Sequence, residues 1–381
     1  MTKTGEVLPD SALARRDRLE RVRAAMVAAD VDVLVLSLGA DLPWLSGYEA
    51  MPLERPTALV LPKDDEATLF VPELEAPRVR HDGGAYALRP WRESEDAVAL
   101  IAAKVGAAAR VGISDRAWAG LLLGLQDALP GASFQRASVV TGAIRAVKDA
   151  AEIAALEAAG AAADRVAEAL LGGEIPLVGR REDEVSAELG ARLVAEGHSR
   201  VNFAIVGSGP NASSPHHEAG ERLIAPGDAV VCDFGGTFSL DGDIGYCSDT
   251  TRTVVVGEMP ARFGEFYAVL EEAQRQAVEA VRPGVSAEEI DRVGRAIISD
   301  AGFGEAFIHR IGHGIGIEEH EDPYIVEGNS TVLVPGHAFS VEPGIYLAGA
   351  TGARIEDIVV VTDSGYLACN QSPHGLTVLD R

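Results

Sequence analysis

The chain has 381 residues, 47% of them hydrophobic, which is enough for large cores spread over two domains. With 58 Asp and Glu against 33 Lys and Arg, its formal charge of -25 repels phosphate backbones and anionic bilayers, so nucleic acid and membrane surfaces are poor partners. Three cysteines without CxxC spacing (Cys232, Cys247, Cys369) argue against a disulfide framework or a zinc ribbon. The first 26 residues lack the apolar core of a signal peptide, and no apolar run is long enough for a membrane span. The expected location is cytoplasmic.

In chain order, residues 12–29 place Leu19, Val22 and Met26 on one helical face. VDVLVLSL at 31–38 is an apolar strand run, and TALVLP at 57–62 and ATLFVP at 67–72 are strands around the turn-like KDDE. A helix over 93–109, a strand at 110–114 and a helix over 120–129 continue the alternation. This pattern describes an α/β domain over residues 1–140. A boundary is expected near 138–148, with a second domain over 141–381. There a long helix starts at a capping box formed by Asp149 and Glu152, and a second helix covers 182–196. Beyond Val201 the strand-like runs FAIVGS, DAVVCDFG, DTTRTVVVG, HAFSVEP and IEDIVVVT are separated by Gly-Pro turns. Helices at 262–281 and 286–301 interrupt them. The fold class expected for this half is α+β with an antiparallel sheet.

Five residues in the last third stand in unusual contexts: Asp233 in VVCDFGG, Asp249 in YCSDTTRT, His313 in RIGHGIG, Glu342 in SVEPGIY and Glu356 in GARIEDI. Any one acid alone reads as a surface or salt-bridged carboxylate. Several acids aimed into one sheet interior cost several kcal/mol each unless cations compensate them. Strand alternation puts Asp233 on a face with Val231 and Gly235, where the missing side chain leaves room for an approaching group. It puts Asp249 with Thr251 and Thr253, whose hydroxyls could donate to a ligating carboxylate, and Arg354 with Glu356. Flanking glycines rule His313 out of a helical zinc pair. Two further histidines in Gly- or Pro-bounded segments, His216 in SSPHHEAG and His320 in EEHEDP, point to a site. One imidazole against four carboxylates favours Mn²⁺, or Co²⁺, over Zn²⁺.

The motifs PHH, DFG with SDTTRT, GHGIG with EEHE, VEPGIY and RIED, in this order, resemble the pita-bread metallopeptidases, from about Val147 to the C-terminus. That family includes methionine aminopeptidases, aminopeptidase P and Xaa-Pro dipeptidases. DLPWLSGYEA and AIRAVKDAAEIAAL resemble the creatinase/prolidase N-terminal domain, which tilts the resemblance towards Xaa-Pro peptidases. It implies a pita-bread catalytic domain that holds two divalent ions, and commonly a homodimer. Asp233 would bind one ion, Asp249 and Glu356 would bridge both, and His313 and Glu342 would complete the other. Glu342 would also serve as the base. His216 and His320 would contact the scissile amide, and Arg354 and Tyr346 would orient Asp233. The implied reaction is hydrolysis of Xaa-Pro dipeptides or short proline-containing peptides. Alternatives are an aminopeptidase P, a repurposed creatinase-like hydrolase or lyase, and a non-catalytic binding module. Two departures from the family pattern stand out. The stretch TFSLDGDIGYC lengthens the Asp233–Asp249 connection and adds Asp241 and Asp243. Tyr324 in HEDPY stands where prolidases often carry a basic residue.

Overall fold

The computed structural model describes residues 10–80, 85–240 and 244–380; Asp241 and Asp243 lie outside the described residues. The chain divides into two compact units, Met1–Arg145 and Ala146–Arg381.

The first unit contains α1 (Asp10–Ala28), β1 (Val33–Leu36), α2 (Asp41–Ser46), β2 (Ala58–Pro62), β3 (Thr68–Pro72), β4 (Ala87–Trp91), α3 (Ala97–Val105), β5 (Arg110–Ile113), α4 (Ala119–Ala128) and β6 (Ser133–Arg136), then reaches α5 (Ser138–Ala146). Its sheet runs β4-β3-β2-β1-β5-β6. The β1–β2 and β2–β3 pairs are antiparallel, while β1–β5, β3–β4 and β5–β6 are parallel. Val33, Val35, Val60 and Phe70 pack against Ile101, Leu121 and Leu125 from α3 and α4. Three elements go beyond the sequence expectation. Six residues, one of them Pro43, are too few for α2 to show a helical period. Pro90 interrupts the apolar pattern of β4, and SFQR in β6 is mostly exposed and polar. The stretch 138–148, expected as a boundary, is mostly helix α5, and the division between the two units falls within it, after Arg145.

The second unit opens with α6 (Ala150–Leu171) and α7 (Glu182–Ala195). The capping box forms as expected. Asp149 accepts from the backbone N–H of Ala151 and Glu152 at 3.0 Å each, and Glu152 accepts from Asp149 N–H at 2.8 Å. There follow β7 (His198–Ser208), β8 (Ala229–Phe238), β9 (Tyr246–Cys247), β10 (Thr250–Val256), α8 (Phe263–Glu279) and α9 (Ala287–Asp300). The last stretch holds β11 (Gly312–Gly314), β12 (Glu321–Ile325), β13 (Ala338–Val341), β14 (Gly344–Leu347), β15 (Thr351–Arg354), β16 (Asp357–Val361), β17 (Tyr366–Ala368) and β18 (Thr377–Leu379).

These strands make two sheets, β18-β10-β8-β7 with β9 on β8, and β12-β11-β13-β16-β17, plus a β14–β15 hairpin. Every pair is antiparallel except β10–β18. Leu170, Leu189 and Leu193 of α6 and α7 cover the first sheet against Val206 and Phe234. Phe263, Leu270 and Ile290 of α8 and α9 cover the second against Phe339 and Val359. A lone bridge between Thr251 and Glu356 ties the two sheets together. All three cysteines are buried free thiols. Among the described residues, no helix is long and apolar enough to cross a membrane.

Gly160 on α6 faces the Cys369 backbone, and a Cβ there would lie 2.4 Å from the Cys369 carbonyl oxygen. Gly160→Val should therefore push α6 off the chain beneath it. The expected loss is about 1–3 kcal/mol of stability by urea unfolding, whereas a midpoint at or above that of wild type would contradict this packing.

Candidate metal centre

The two sheets bring the five candidate ligands to one place. Asp233 lies mid-β8, paired in register with Ile205 and Thr251. Asp249 immediately precedes β10, His313 is the centre of β11, Glu342 follows β13, and Glu356 lies between β15 and β16. All are buried except Glu342, whose side chain is 14% exposed. Asp249, His313 and Glu356 offer ligand atoms within 4.8 Å of one another. His313 Nε2 is 3.2 Å from Glu342 Oε1 and 3.7 Å from Asp249 Oδ2.

Glycines make this convergence possible, though not by the route expected for Gly235. A Cβ on Gly235 would lie 2.2 Å from the Ser248 carbonyl oxygen. The space beside Asp233 is thus filled by backbone, and that backbone delivers Asp249. At β11, a Cβ on Gly312 would meet the Ser340 carbonyl oxygen at 1.8 Å. Ser340 Oγ accepts from His313 N–H at 3.0 Å and donates to Glu342 Oε1 at 3.2 Å, so one hydroxyl sets two of the five residues.

Arg354 corrects a second expectation. Its guanidinium reaches Asp233 Oδ2 at 2.6 Å and not Glu356. Strand β15 ends at Arg354, and Glu356 sits in the bridge to Thr251, so the i, i+2 alternation does not continue between them. The connection runs through a hydroxyl: Arg354 Nε donates to Thr251 Oγ1 at 3.0 Å, and Thr251 Oγ1 donates to Glu356 Oε2 at 2.7 Å. Thr251 therefore serves Glu356, and Thr253 holds the Arg354 backbone through contacts of 2.9 and 3.1 Å. Arg354 Nη1 donates to Tyr346 Oη at 2.8 Å. Tyr346 Oη also lies 3.0 Å from His309 Nε2, in space left by the absent side chain of Gly344.

Burial holds Asp249 well above the ordinary carboxylate range, and the charges of Glu356, Asp233 and Glu342 add to it. Burial does the same to Glu356, with help from Glu342 and Asp233. Asp233 is also raised by burial, against the pull of Arg354. Glu342 goes the other way: burial pushes it up, but the hydrogen bond to His313 and its charge bring it down to about 2. Asp233 Oδ1 is buried without a hydrogen-bond partner. An orphaned carboxylate oxygen in an oxygen-rich pocket with one imidazole fits hard divalent cations.

The two outlying histidines are exposed at this centre. The His320 ring centroid is 4.0 Å from that of His313. Partial burial, His313 and Arg310 push its pKa down to about 4. His216 is close enough for its charge to act on His309 and His320. Its neighbour His217 turns to the buried Glu182, with Nε2 and Oε2 2.8 Å apart. Glu182 also accepts from Ser208 N–H (2.8 Å), Ser208 Oγ (2.6 Å) and Asn211 Nδ2 (3.0 Å), which fixes the turn that carries His216. Glu182, His309 and Arg252 join the site without having stood out in the sequence. Arg252 is buried and donates to the Glu356 carbonyl and to Asp357 Oδ1, each at 2.8 Å. His309 had a local signal, a second histidine four residues before His313. Glu182 and Arg252 had none.

Residues 153–363 match metallopeptidase family M24, and residues 18–147 match the creatinase/prolidase N-terminal domain. The chain is 44% identical to a probable dipeptidase PepE of Mycobacterium tuberculosis, over 95% of this chain and 96% of that protein. The chain belongs to metallopeptidase family M24. An M24 relative from Lactobacillus helveticus, described as an Xaa-Pro dipeptidase, is 35% identical over 95% of this chain and 98% of its own length. The crystal structure of dipeptidase PepE from Mycobacterium ulcerans matches with a TM-score of 0.89 at 44% identity, covering 98% of this chain and all of that one. The architecture is accordingly the pita-bread fold with a creatinase-type N-terminal domain. M24 membership implies divalent metal ions, for which the Asp249–His313–Glu356 cluster is a candidate position.

Raised carboxylate pKa values make the metal-free fold bind protons more tightly than the unfolded chain, so its stability falls as pH rises through them. Asp249→Asn removes one such group. In chelator, the variant should exceed wild type by about 1–3 kcal/mol at pH 8, with the gap closing towards the ordinary carboxylate value near 4. Its metal content after dialysis against Mn²⁺ should drop. A metal-free variant less stable than wild type at pH 8 would count against a like-charge cluster.

Proposed function

We propose that the protein is an Xaa-Pro dipeptidase that uses two divalent ions. The observation that carries this reading is the buried meeting of Asp233, Asp249, His313, Glu342 and Glu356, with Asp233 Oδ1 left unpartnered. The printed activity of the Lactobacillus helveticus relative supports the substrate class. In this reading Asp233 would hold one ion, His313 and Glu342 the other, and Asp249 and Glu356 would contribute to both. Mn²⁺ is favoured by the oxygen-rich set, with Co²⁺ next and Zn²⁺ behind.

When bound, the ions acidify water and polarise the scissile carbonyl. The protein's own groups do the rest. Glu342, beside His313, is the acceptor for the attacking water's proton. Burial and its contacts with Asp233, Thr251 and Tyr346 hold Arg354 in place, so Asp233 is oriented before substrate arrives. His320 and His216, at the exposed side, are placed to donate to the carbonyl oxygen and to the leaving nitrogen. An Xaa-Pro bond has no N–H for strand-like recognition, so the substrate must be held by its ends and by the ring.

The test is a panel of Xaa-Pro dipeptides, their C-terminally extended forms and dipeptides without proline. It is assayed on chelator-treated protein supplied in turn with Mn²⁺, Co²⁺ and Zn²⁺. Metal-dependent cleavage of Xaa-Pro dipeptides is expected. Turnover confined to the longer peptides would replace the reading with an aminopeptidase. No turnover with any ion would remove it. His320→Ala should lower kcat by about 10²–10³-fold with little change in metal content; an unchanged kcat would take His320 out of the reaction.

A further inference from the structure

Three of the four acids at the centre are gripped directly by a side chain: Asp233 by Arg354, Glu356 by Thr251 and Glu342 by Ser340. Asp249 is not. Among the described residues its carboxylate accepts no hydrogen bond, and His313 Nε2 stands off at 3.7 Å. Burial and the charges of Glu356, Asp233 and Glu342 all disfavour an ionised carboxylate there. The place of Asp249 must therefore be set through its backbone, and the residue before it, Ser248, is held at every polar atom.

Ser248 is buried. Its N–H donates to the Gly236 carbonyl at 2.9 Å, its Oγ accepts from Gly236 N–H at 3.2 Å, and its carbonyl fills the space beside Gly235. The hydroxyl hydrogen has two acceptors in range, the Gly236 carbonyl at 3.4 Å and His198 Nε2 at 2.8 Å. The shorter contact wins. The ring is set to accept it. His198 Nδ1 lies 3.1 Å from the Leu193 carbonyl oxygen, which can only accept, so the ring hydrogen sits on Nδ1 and the Nε2 lone pair faces Ser248. Burial pushes the His198 pKa below the ordinary histidine value, which keeps that lone pair open. The ring has little room to turn. Phe238 meets it edge-on with centroids 5.6 Å apart, and a Cβ on Gly236 would lie 2.9 Å from its Cδ2. A buried histidine with both nitrogens satisfied is ordinarily core packing. This one ends a line of contacts that runs from α7 through Ser248 to the one acid without a donor of its own.

We propose that His198 is a positioning residue of the metal centre: through the Ser248 hydroxyl it holds Asp249 in place against the repulsion of its neighbours. The proposal rests on the two-ion reading and not on which peptide is cleaved. Without the His198 acceptor, the Ser248 hydroxyl is left with the long contact to Gly236, and the segment that delivers Asp249 loses its tie to α7.

The experiment titrates Mn²⁺ calorimetrically into chelator-stripped, full-length wild type, His198→Phe, His198→Gln, Ser248→Ala and the His198→Phe/Ser248→Ala double variant. His198→Phe keeps a ring in the same space and removes the acceptor, whereas glutamine can bring a carbonyl oxygen towards the Nε2 position. Mn²⁺ affinity should weaken by about 10–100-fold in His198→Phe and in Ser248→Ala, and His198→Gln should recover part of the loss. The double variant should bind no more weakly than either single one, because both remove the same contact. Gly160→Val, a packing defect outside the centre, is the control for lost stability alone and should leave the affinity within about twofold. A folded His198→Phe or Ser248→Ala that binds Mn²⁺ like wild type would overturn the proposal, as would additive losses in the double variant or an equal loss in Gly160→Val. A wild type that takes up no Mn²⁺ overturns it together with the two-ion reading. If wild type binds Mn²⁺ in a His198-dependent way yet cleaves no Xaa-Pro peptide, the peptidase reading falls and the positioning role stands.

Discussion

The constraint on which the catalytic unit depends is the burial of four carboxylates around one imidazole. Mutual repulsion at that density does not relax into a single ion pair, because Arg354 contacts Asp233 alone among the four. The protein leaves part of the charge uncompensated. Asp249 and Glu356 hold protons far above their ordinary range, and Asp233 keeps one oxygen without a partner. A fold with only marginal net stability tolerates such a cluster when something that binds the native state repays it. Divalent cations would do this twice over, by displacing the protons and by satisfying the orphaned oxygen.

Given that constraint, the rest of the unit is a frame that keeps the acids from moving apart. The frame is made of hydroxyls and backbone, which add no charge of their own. Thr251 passes the grip of Arg354 on to Glu356. Ser340 sets His313 and Glu342 together. Gly235 and Gly312 let backbone carbonyls approach where a side chain would stand. Arg252, buried deeper, ties the Glu356 carbonyl to Asp357 and so carries its charge to the far side of the strand. Apart from the Ser340–Glu342 contact, these links cross between the two sheets or between neighbouring strands, so the sheets hold the site in place.

This explains which parts were legible in the sequence. The five candidate residues that converge, the capping box at Asp149 and the long apolar strands were readable because each stands in a distinctive local pattern. Cross-strand partners were not. Alternation holds along β15, but the strand ends at Arg354 itself, and Glu356 enters by a bridge to Thr251. The room beside Gly235 was real, yet its occupant, Ser248, comes from a segment whose approach is set by β8–β9 pairing. In the N-terminal unit, β6 stayed hidden because a half-exposed edge strand such as SFQR carries no apolar alternation. Glu182 was missed for a related reason: its five donors come from residues 208–220, far along the chain.

The metal-centre candidates and the side chains around them sit on different kinds of structure. The acids and His313 lie on or beside paired strands, with neighbours that leave little freedom to substitute. His216, Arg310 and His320 lie in the short connections around them, and Tyr324 on β12 is only partly buried. Those connections are anchored at a distance: Glu182 pins the His216 turn, and Arg295 donates to the carbonyls of Phe307 and His309 just ahead of Arg310. An anchored connection can exchange its exposed side chains without disturbing the sheet, because its backbone is held by residues that do not face the substrate. On this chain Arg310, from such a connection, and Tyr324 of β12 meet in one stacked pair, with the guanidinium carbon 4.5 Å from the ring.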